Sequence, residues 1–515
     1  MGETNLNDSS KPVEGKTVAI VVGFMIFAQF FGAGNLLFPP FLGFIGGSEW
    51  LVGFVFFFTF DVILGICGLA ASGKFPEVEI GAYYRPGRTF MLVMGAICLF
   101  ITGPLVVQSR TALTSYEVFL KPVLAGGFEN VTPDAGLKIS AVIFLIVYLG
   151  LATILAIRPS KVVDIIGKFL TPCLLAILVV IIVIGLVNMG SSGIRPGAYP
   201  TSSPSLIAFG VAQGLQTFDG PTGTLVAIII IVNLVGKGIT KPNEQTKTII
   251  KSGFVAAICL VVIYLGLGLL GAFYSNDPVL VAKFGAEGNI DQTWLLNYIL
   301  SNTLGFAGTI IFGIAILLAT FTTTIGSLGI VSQFYSNITN GKIKYEVAVF
   351  VGAGISTVVA IILSTTVSGV QTLLNLTLPF LIISMPITVV LIILNLFSEK
   401  IKNDNVFRGA ALGAGIWGLA SGIAYIIAYT IGGGTPEALA VYGSGWYNLF
   451  FGPWNFIYTL TGDLGYIIPG AIGAIIGALI KKGGYSERPY LREHAGDYDF
   501  DYLALKKKKE VAGQA

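Results

Sequence analysis

Apolar runs of about 20 residues recur along almost the whole chain, and no other feature narrows the possible folds so far. A helix that crosses a bilayer needs roughly this length, because without water every backbone amide has to be satisfied inside its own segment. Such runs occupy residues 17–43, 49–73, 89–117, 137–157, 162–188, 206–236, 248–272, 305–332, 345–365, 376–397, 409–432 and 462–480. They predict an all-α polytopic membrane protein of twelve transmembrane helices, with both termini on one side. Composition agrees: of 515 residues 54% are hydrophobic and 11% charged, where a soluble protein carries about 25% charged residues. With Lys+Arg 30 against Asp+Glu 27, the net charge of +3 offers no basic surface to nucleic acid.

Lys and Arg set the expected orientation. Of the 30, 25 fall in the two tails, in alternate loops, or at span ends beside those loops. The others are Lys121, Lys138, Arg195 and Lys283 in the opposite loops and Arg110 inside the third span. Positive-inside insertion produces this asymmetry and predicts cytoplasmic tails at 1–16 and 481–515. The polar opening MGETNLNDSSKPVEGK lacks the apolar core of a signal peptide, so the first run is expected to stay as a span. Cys67, Cys98, Cys173 and Cys259 each sit in an apolar run without paired spacing and read as small buried hydrophobes. His494 has no histidine or cysteine partner to share a metal with. Trp446, Tyr447, Trp454 and Tyr458, with Phe450, Phe451 and Phe456, read as an aromatic anchor at the outer interface. Lys506 to Lys509 read as a solvated charge run near anionic lipid. No GxxxxGK[ST], HExxH, CxxC or paired-Asp motif is present, and polarity is gathered at a few points instead of lining whole helices. Neither an enzyme nor a channel is expected from that pattern.

Two spans carry interruptions. The first reads FMIFAQFFGAGNLLFPPFLG, with Gly32, Ala33, Gly34 and Asn35 near its centre, and glycine lacks the side chain that favours helical dihedrals. Pro39 and Pro40 remove the amides that would bond the carbonyls of Asn35 and Leu36. The sixth span repeats the design in AFGVAQGLQTFDGPTGTLV, where Gly210, Gly214, Gly220 and Gly223 surround Pro221, which frees the carbonyl of Thr217. From span starts at 17 and 206, the offset of 189 carries Gly32 onto Pro221. Glycine in a membrane helix also permits close packing. Two matched interruptions point instead to unwound backbone facing a ligand or ion, as in secondary transporters of the LeuT kind.

Charged groups inside spans are costly enough for each to be a functional candidate. Asp61 lies midway along the second span, Asp219 just past the interruption in the sixth, and Arg110 and Glu117 on one face of the third. Arg110 and Glu117 read as a structural ion pair or as a gate; Asp219 reads as a gate or a site residue. In the eighth span LLATFTTTIGSLG holds Thr320, Thr322, Thr323, Thr324 and Ser327. Such hydroxyls either bond the carbonyl one turn back or serve a hard cation that wants oxygen ligands. Asp164 and Lys168 are expected to reach back to the inner interface.

The run FFGAGNLLFPPFLG, residues 30–43, closely resembles the opening signature of the branched-chain amino acid:cation symporters, which carry leucine, isoleucine and valine. GPLVVQSRTALTSYE, residues 103–117, resembles a second family segment, with Ser109 where a proline usually stands, and QGLQTFDG, residues 213–220, a third. The resemblance implies a LeuT-type fold: a 5+5 inverted repeat with halves at 17–188 and 206–397, broken first and sixth helices, and two accessory helices within 409–480. It implies import of branched-chain amino acids by alternating access in a bacterial plasma membrane, driven by Na⁺ with H⁺ as the alternative. No organic cofactor or obligate protein partner is implied.

The substrate site so implied contains Phe31, Gly32, Ala33, Gly34 and Asn35, with the amides near Ala33 and Gly34 facing the substrate carboxylate. The ammonium would meet sixth-span carbonyls among Phe209, Gly210, Ala212, Gln213 and Gly214, and Phe209 or Leu215 would wall the apolar branch. ATFTTTIG resembles the eighth helix of LeuT-type sodium symporters. That likeness places Na⁺ among the hydroxyls of Thr322 and Thr323 and the carbonyls of Ala319, Ala28 and Phe31. A second cation near Asn35 would be additional to this site, and a proton on Asp219 belongs to the H⁺-coupled alternative. Lys168, whose counterpart replaces sodium in some relatives of this fold, sits only about one turn into its helix.

Overall fold

The computed structural model describes residues 15–75, 80–125, 135–157, 171–188, 194, 203–236, 239, 242–287, 290–366, 368–431 and 465–480. The expectations for Asp164, Lys168, Arg195, Trp446, Tyr447, Phe450, Phe451, Trp454, Phe456, Tyr458, His494 and Lys506 to Lys509 lie outside those residues. The described elements are helical. In order they are α1 (Gly15–Phe30), α2 (Ala33–Gly46), α3 (Trp50–Phe58), α4 (Leu64–Ser72), α5 (Arg88–Phe100), α6 (Gln108–Ser115) and α7 (Lys121–Ala125). There follow α8 (Ala135–Ala156), α9 (Thr171–Asn188), α10 (Ser203–Leu215), α11 (Asp219–Gly236), α12 (Pro242–Phe273), α13 (Pro278–Glu287) and α14 (Gln292–Ile338). The last are α15 (Tyr345–Ser364), α16 (Gly369–Leu396), α17 (Asp404–Ile431) and α18 (Ile467–Leu479). Among the described residues eight helical stretches are long and apolar enough to cross a membrane, and α1 with α2, bent by 73°, makes a ninth.

Both interruptions are real breaks, but each is shorter than the sequence suggests. In the first span only Phe31 and Gly32 leave the helix, and α2 then runs through Pro39 and Pro40 without stopping. Gly32 is extended, and its amide turns to Phe30 O (2.8 Å) and Asn35 Oδ1 (3.3 Å). In the sixth span the helix is regular through Leu215 and breaks at Gln216 to Phe218, at the Thr217 carbonyl that Pro221 is expected to free and about one turn past Phe209 to Gln213, whose carbonyls are expected to meet the ammonium. Phe218 sits at φ 70°, a left-handed conformation that a bulky side chain adopts only when its surroundings impose it. Pro221 lies in the first turn of α11, where a missing amide is tolerated.

The second span holds both halves of the sixth. A Cβ on Gly210 would lie 2.1 Å from Gly53 O, and one on Gly223 would lie 2.0 Å from Gly65 O. Only the missing side chains let α10 seat on α3 and α11 on α4 at backbone distance. α3 and α4 are joined by a π-helical turn, Thr59–Ile63, which contains Asp61, and a second such turn, Tyr116–Leu120, contains Glu117. π turns recur at functional sites because the extra residue redirects side chains. α12 packs along α1 and α2. α8 turns Ile139, Ile143, Ile146 and Ile154 outward and Ala141, Leu145, Tyr148 and Ala152 inward, as a helix between lipid and bundle must. Below the second span, buried Arg85 pairs with Asp404 at the start of α17 and lies 4.2 Å from the Phe407 ring.

Candidate functional site

The two breaks face one another across a buried polar cluster. Asn35, in the first turn of α2, donates from Nδ2 toward both oxygens of Asp61 (3.3 Å each), Asp219 Oδ2 (3.1 Å) and Tyr264 OH (2.5 Å). An amide nitrogen has two hydrogens, so four acceptors compete for them and draw α2, the second span, α11 and α12 to one point. Asn35, Asp61 and Asp219 are 1%, 0% and 3% exposed. Asp219 opens α11, where the positive end of the helix favours an anion.

Arg110, on α6, faces the second break. Its Nη1 donates to Gln216 O (3.1 Å) and Nη2 to Thr217 O (3.5 Å), while the guanidinium lies 5.9 Å from the Phe218 ring. The carbonyls freed by the break in the sixth span are therefore those of Gln216 and Thr217. Those of Phe209 and Gly210 remain inside a regular helix. Arg110 also lies against the first turn of α2: a Cβ on Gly34 would come 3.0 Å from Nη2.

Between the breaks lies a cavity open at one end. Gly32, Ala33, Asn35, Arg110, Thr217 and Asp219 line it beside the breaks, and Phe30, Leu99, Leu225, Val226, Ile330 and Val331 give it apolar walls in which Thr102, Thr222 and Ser327 are set. Its lining beyond the breaks belongs to α1 before its end, the third span from Leu99 to Thr111, α11 after its start and the latter part of α14, so it extends toward the end of the molecule that holds the start of α1. On the far side of the breaks an aromatic contact between α2 and α10 closes the structure, Phe41 meeting Phe209 at 5.4 Å.

A second cluster joins α14 to the end of α1. Thr323 Oγ1 lies 3.3 Å from Ala28 O, 3.2 Å from Phe31 O and 3.1 Å from Ala319 O, and Thr322 Oγ1 lies 2.7 Å from Ala319 O. The break in the first span creates this cluster, because the Gly32 amide that would serve Ala28 in an unbroken helix turns to Phe30. One hydroxyl proton serves one carbonyl at a time, and Ala319 O already accepts from Thr322, so the Ala28 and Phe31 carbonyls leave an oxygen-rich nest short of donors around Thr323. Its neutral oxygens suit a hard cation.

All five residues expected around Na⁺ are thus neighbours. Of the expected substrate residues, Gly32, Ala33 and Asn35 line the cavity and Gly34 touches Arg110. Phe31 instead stacks on Phe27 at 4.9 Å. Phe209 and Leu215 are corrected: neither lines the cavity, since Phe209 packs on Phe41 and Leu215 is buried. Gly210 and Gly214 face the second span, where a Cβ would lie 2.1 Å from Gly53 O and 2.7 Å from Phe57 O. Ala212 and Gln213 stay in α10, and the Ala212 carbonyl is taken by the Gln216 amide at 3.1 Å.

Arg110 and Glu117 do not pair with one another, because seven residues along a helix separate them by about 10 Å. Glu117 instead accepts the Gly369 amide (2.7 Å) at the start of α16 and the Thr293 hydroxyl (3.1 Å). Tyr264 and Phe218 were not expected at the site. A lone tyrosine hydroxyl deep in an apolar helix was the available signal for Tyr264; nothing local marked Phe218.

Residues 15–482 match the family model described as branched-chain amino acid transport protein. The chain is similar to the branched-chain amino acid permease BraB of Bacillus subtilis, 28% identical over 469 residues, 90% of this chain and 95% of the permease. It is also similar to a putative branched-chain amino acid carrier protein of Staphylococcus aureus, 29% identical over 388 residues, 75% of this chain and 83% of the carrier. Among solved structures it resembles the manganese transporter of Eremococcus coleocola, with a TM-score of 0.51 and 14% identity, covering 92% of this chain and 100% of that one; at that identity the likeness concerns the fold alone. An apolar helical bundle with paired breaks and a match spanning nearly all of its length make this chain a member of the branched-chain amino acid transport protein family.

Proposed function

We propose that the protein imports leucine, isoleucine and valine across a bacterial plasma membrane, coupled to Na⁺ by alternating access. The observation that carries the coupling is the apposition of Thr323 on α14 to the Ala28 and Phe31 carbonyls bared by the first break. Na⁺ bound there would supply positive charge next to the substrate cavity. The hydroxyls of Thr322 and Thr323 and the three carbonyls would hold it, tying α14 to the hinge of the first span. The names of the relatives support the cargo, and the cavity's apolar walls suit a branched side chain. Two five-helix repeats, 17–188 and 206–397, with accessory helices at 409–480 and cytoplasmic tails at 1–16 and 481–515, would complete a twelve-span design. With the N-terminus cytoplasmic, the cavity faces inward and the Phe41–Phe209 contact closes the outer side.

The test is uptake of radiolabelled leucine into proteoliposomes with and without an inward Na⁺ gradient, for the intact chain and for Thr322→Ala with Thr323→Ala. The intact protein should accumulate leucine only with Na⁺. Loss of the hydroxyls should weaken cation binding by about 1–3 kcal/mol and raise the Na⁺ required by about 5- to 150-fold. An unaltered Na⁺ dependence in the double variant overturns the site, and uptake driven by a pH gradient alone transfers the coupling to H⁺.

A further inference from the structure

We propose that Arg110 and Asp219 are the two charged poles of a zwitterion receptor, Arg110 taking the α-carboxylate of the substrate and Asp219 its α-ammonium. This rests on the amino acid transport proposed above and names the side chains that recognise the polar end of the cargo.

Both residues line the same cavity and both are 3% exposed. At such depth opposite charges that merely neutralise each other close into direct, commonly bidentate, contact. These do not. Arg110 is near enough to Asp219 and Asp61 to feel their charge, yet among the described residues it forms no ion pair, and its buried Nε has no hydrogen-bond partner. A guanidinium carries five N–H donors, and the Gln216 and Thr217 carbonyls account for only two bonds.

The separation is built in. Two carbonyls of the broken sixth span and the ring of the strained Phe218 fix the guanidinium. The Asn35 amide, itself shared with Asp61 and Tyr264, fixes Asp219 on the other side. A molecule carrying both charges can bridge the gap, one end on each pole. Because the guanidinium rests against Gly34, a carboxylate held by it also faces the first amides of α2, whose helix end favours anions. Leu99, Leu225, Val226, Ile330 and Val331 then receive an apolar branch. The ligand class that follows is an α-amino acid with a free carboxylate and a free ammonium; an amine or an acid alone fills half the site.

The experiment is competition against radiolabelled leucine on the purified full-length protein in Na⁺. The competitors are leucine, leucinamide, which lacks the carboxylate, and 4-methylpentanoate, which lacks the ammonium. The intact protein should prefer leucine over each analogue by about 10-fold or more. Arg110→Gln should bind leucine about 10-fold more weakly while leaving leucinamide unchanged, so that the leucine-to-leucinamide preference collapses; Arg110→Lys should keep part of it. Asp219→Asn should instead collapse the preference over 4-methylpentanoate and spare that over leucinamide. A Na⁺-dependent thermal shift without leucine reports whether each variant is folded, and each pole is read independently if the other variant does not accumulate. Preferences retained in folded variants overturn the assignment while leaving transport intact. An intact protein that binds no leucine overturns the transport reading and this one together.

Discussion

Thr322 and Thr323 stand side by side in the sequence but do different things. Thr322 bonds only the Ala319 carbonyl within its own helix, whereas Thr323 reaches the carbonyls of Ala28 in α1 and of Phe31 just past its end as well. Thr323→Ala alone should therefore raise the Na⁺ concentration for half-maximal leucine uptake several-fold more than Thr322→Ala, by a difference of about 1 kcal/mol; equal effects in a Na⁺ titration would refute the distinction. These hydroxyls were legible in the sequence because a run of threonines is conspicuous in an apolar helix. The partners of Asn35 were not. They lie 26, 184 and 229 residues away, and no local pattern records a contact over such separations.

Among elements, the breaks were legible, down to the Thr217 carbonyl that Pro221 frees, and their extent was not. Glycine and proline mark where a helix is weak, but hydrogen bonds decide where it parts. Asn35 holds the Gly32 amide, and Arg110 holds the carbonyls of Gln216 and Thr217. The glycines at 210 and 214 that suggested a break in the sixth span instead dock α10 on α3 and its π turn. Gly210→Val should push those helices apart and lower stability by about 1–3 kcal/mol or more. Gly150→Ala, on α8 where a new Cβ meets nothing within 4 Å, should be neutral or stabilising by about 0.5–1 kcal/mol. Melting temperatures of the two purified variants check the contrast, and a Gly210→Val protein as stable as the parent would refute close docking.

For the whole molecule, the cavity lies on one side of the breaks and the aromatic closure on the other, the asymmetry that alternating access requires. In a chain whose four cysteines are replaced, Ser327→Cys, at the cavity wall, should react with an impermeant thiol reagent from the cytoplasmic side, and leucine with Na⁺ should slow the reaction. Phe41→Cys, behind the Phe209 contact, should be protected from that side. Reaction of Ser327→Cys only from outside would reverse the assignment. The sequence by itself determined the solvent of this chain, the places of the nine spans seen among the described residues, where two of its spans are weak, and which polar groups are buried in them. These follow from backbone hydrogen bonding and transfer energies that act within a few turns. Only the tertiary structure decided that Asn35 joins two carboxylates, that Arg110 stands apart from both, and that Thr323 faces the end of α1. Such pairings depend on the path of the whole chain, and for charged groups a shift of a few ångströms separates an ion pair from an open site.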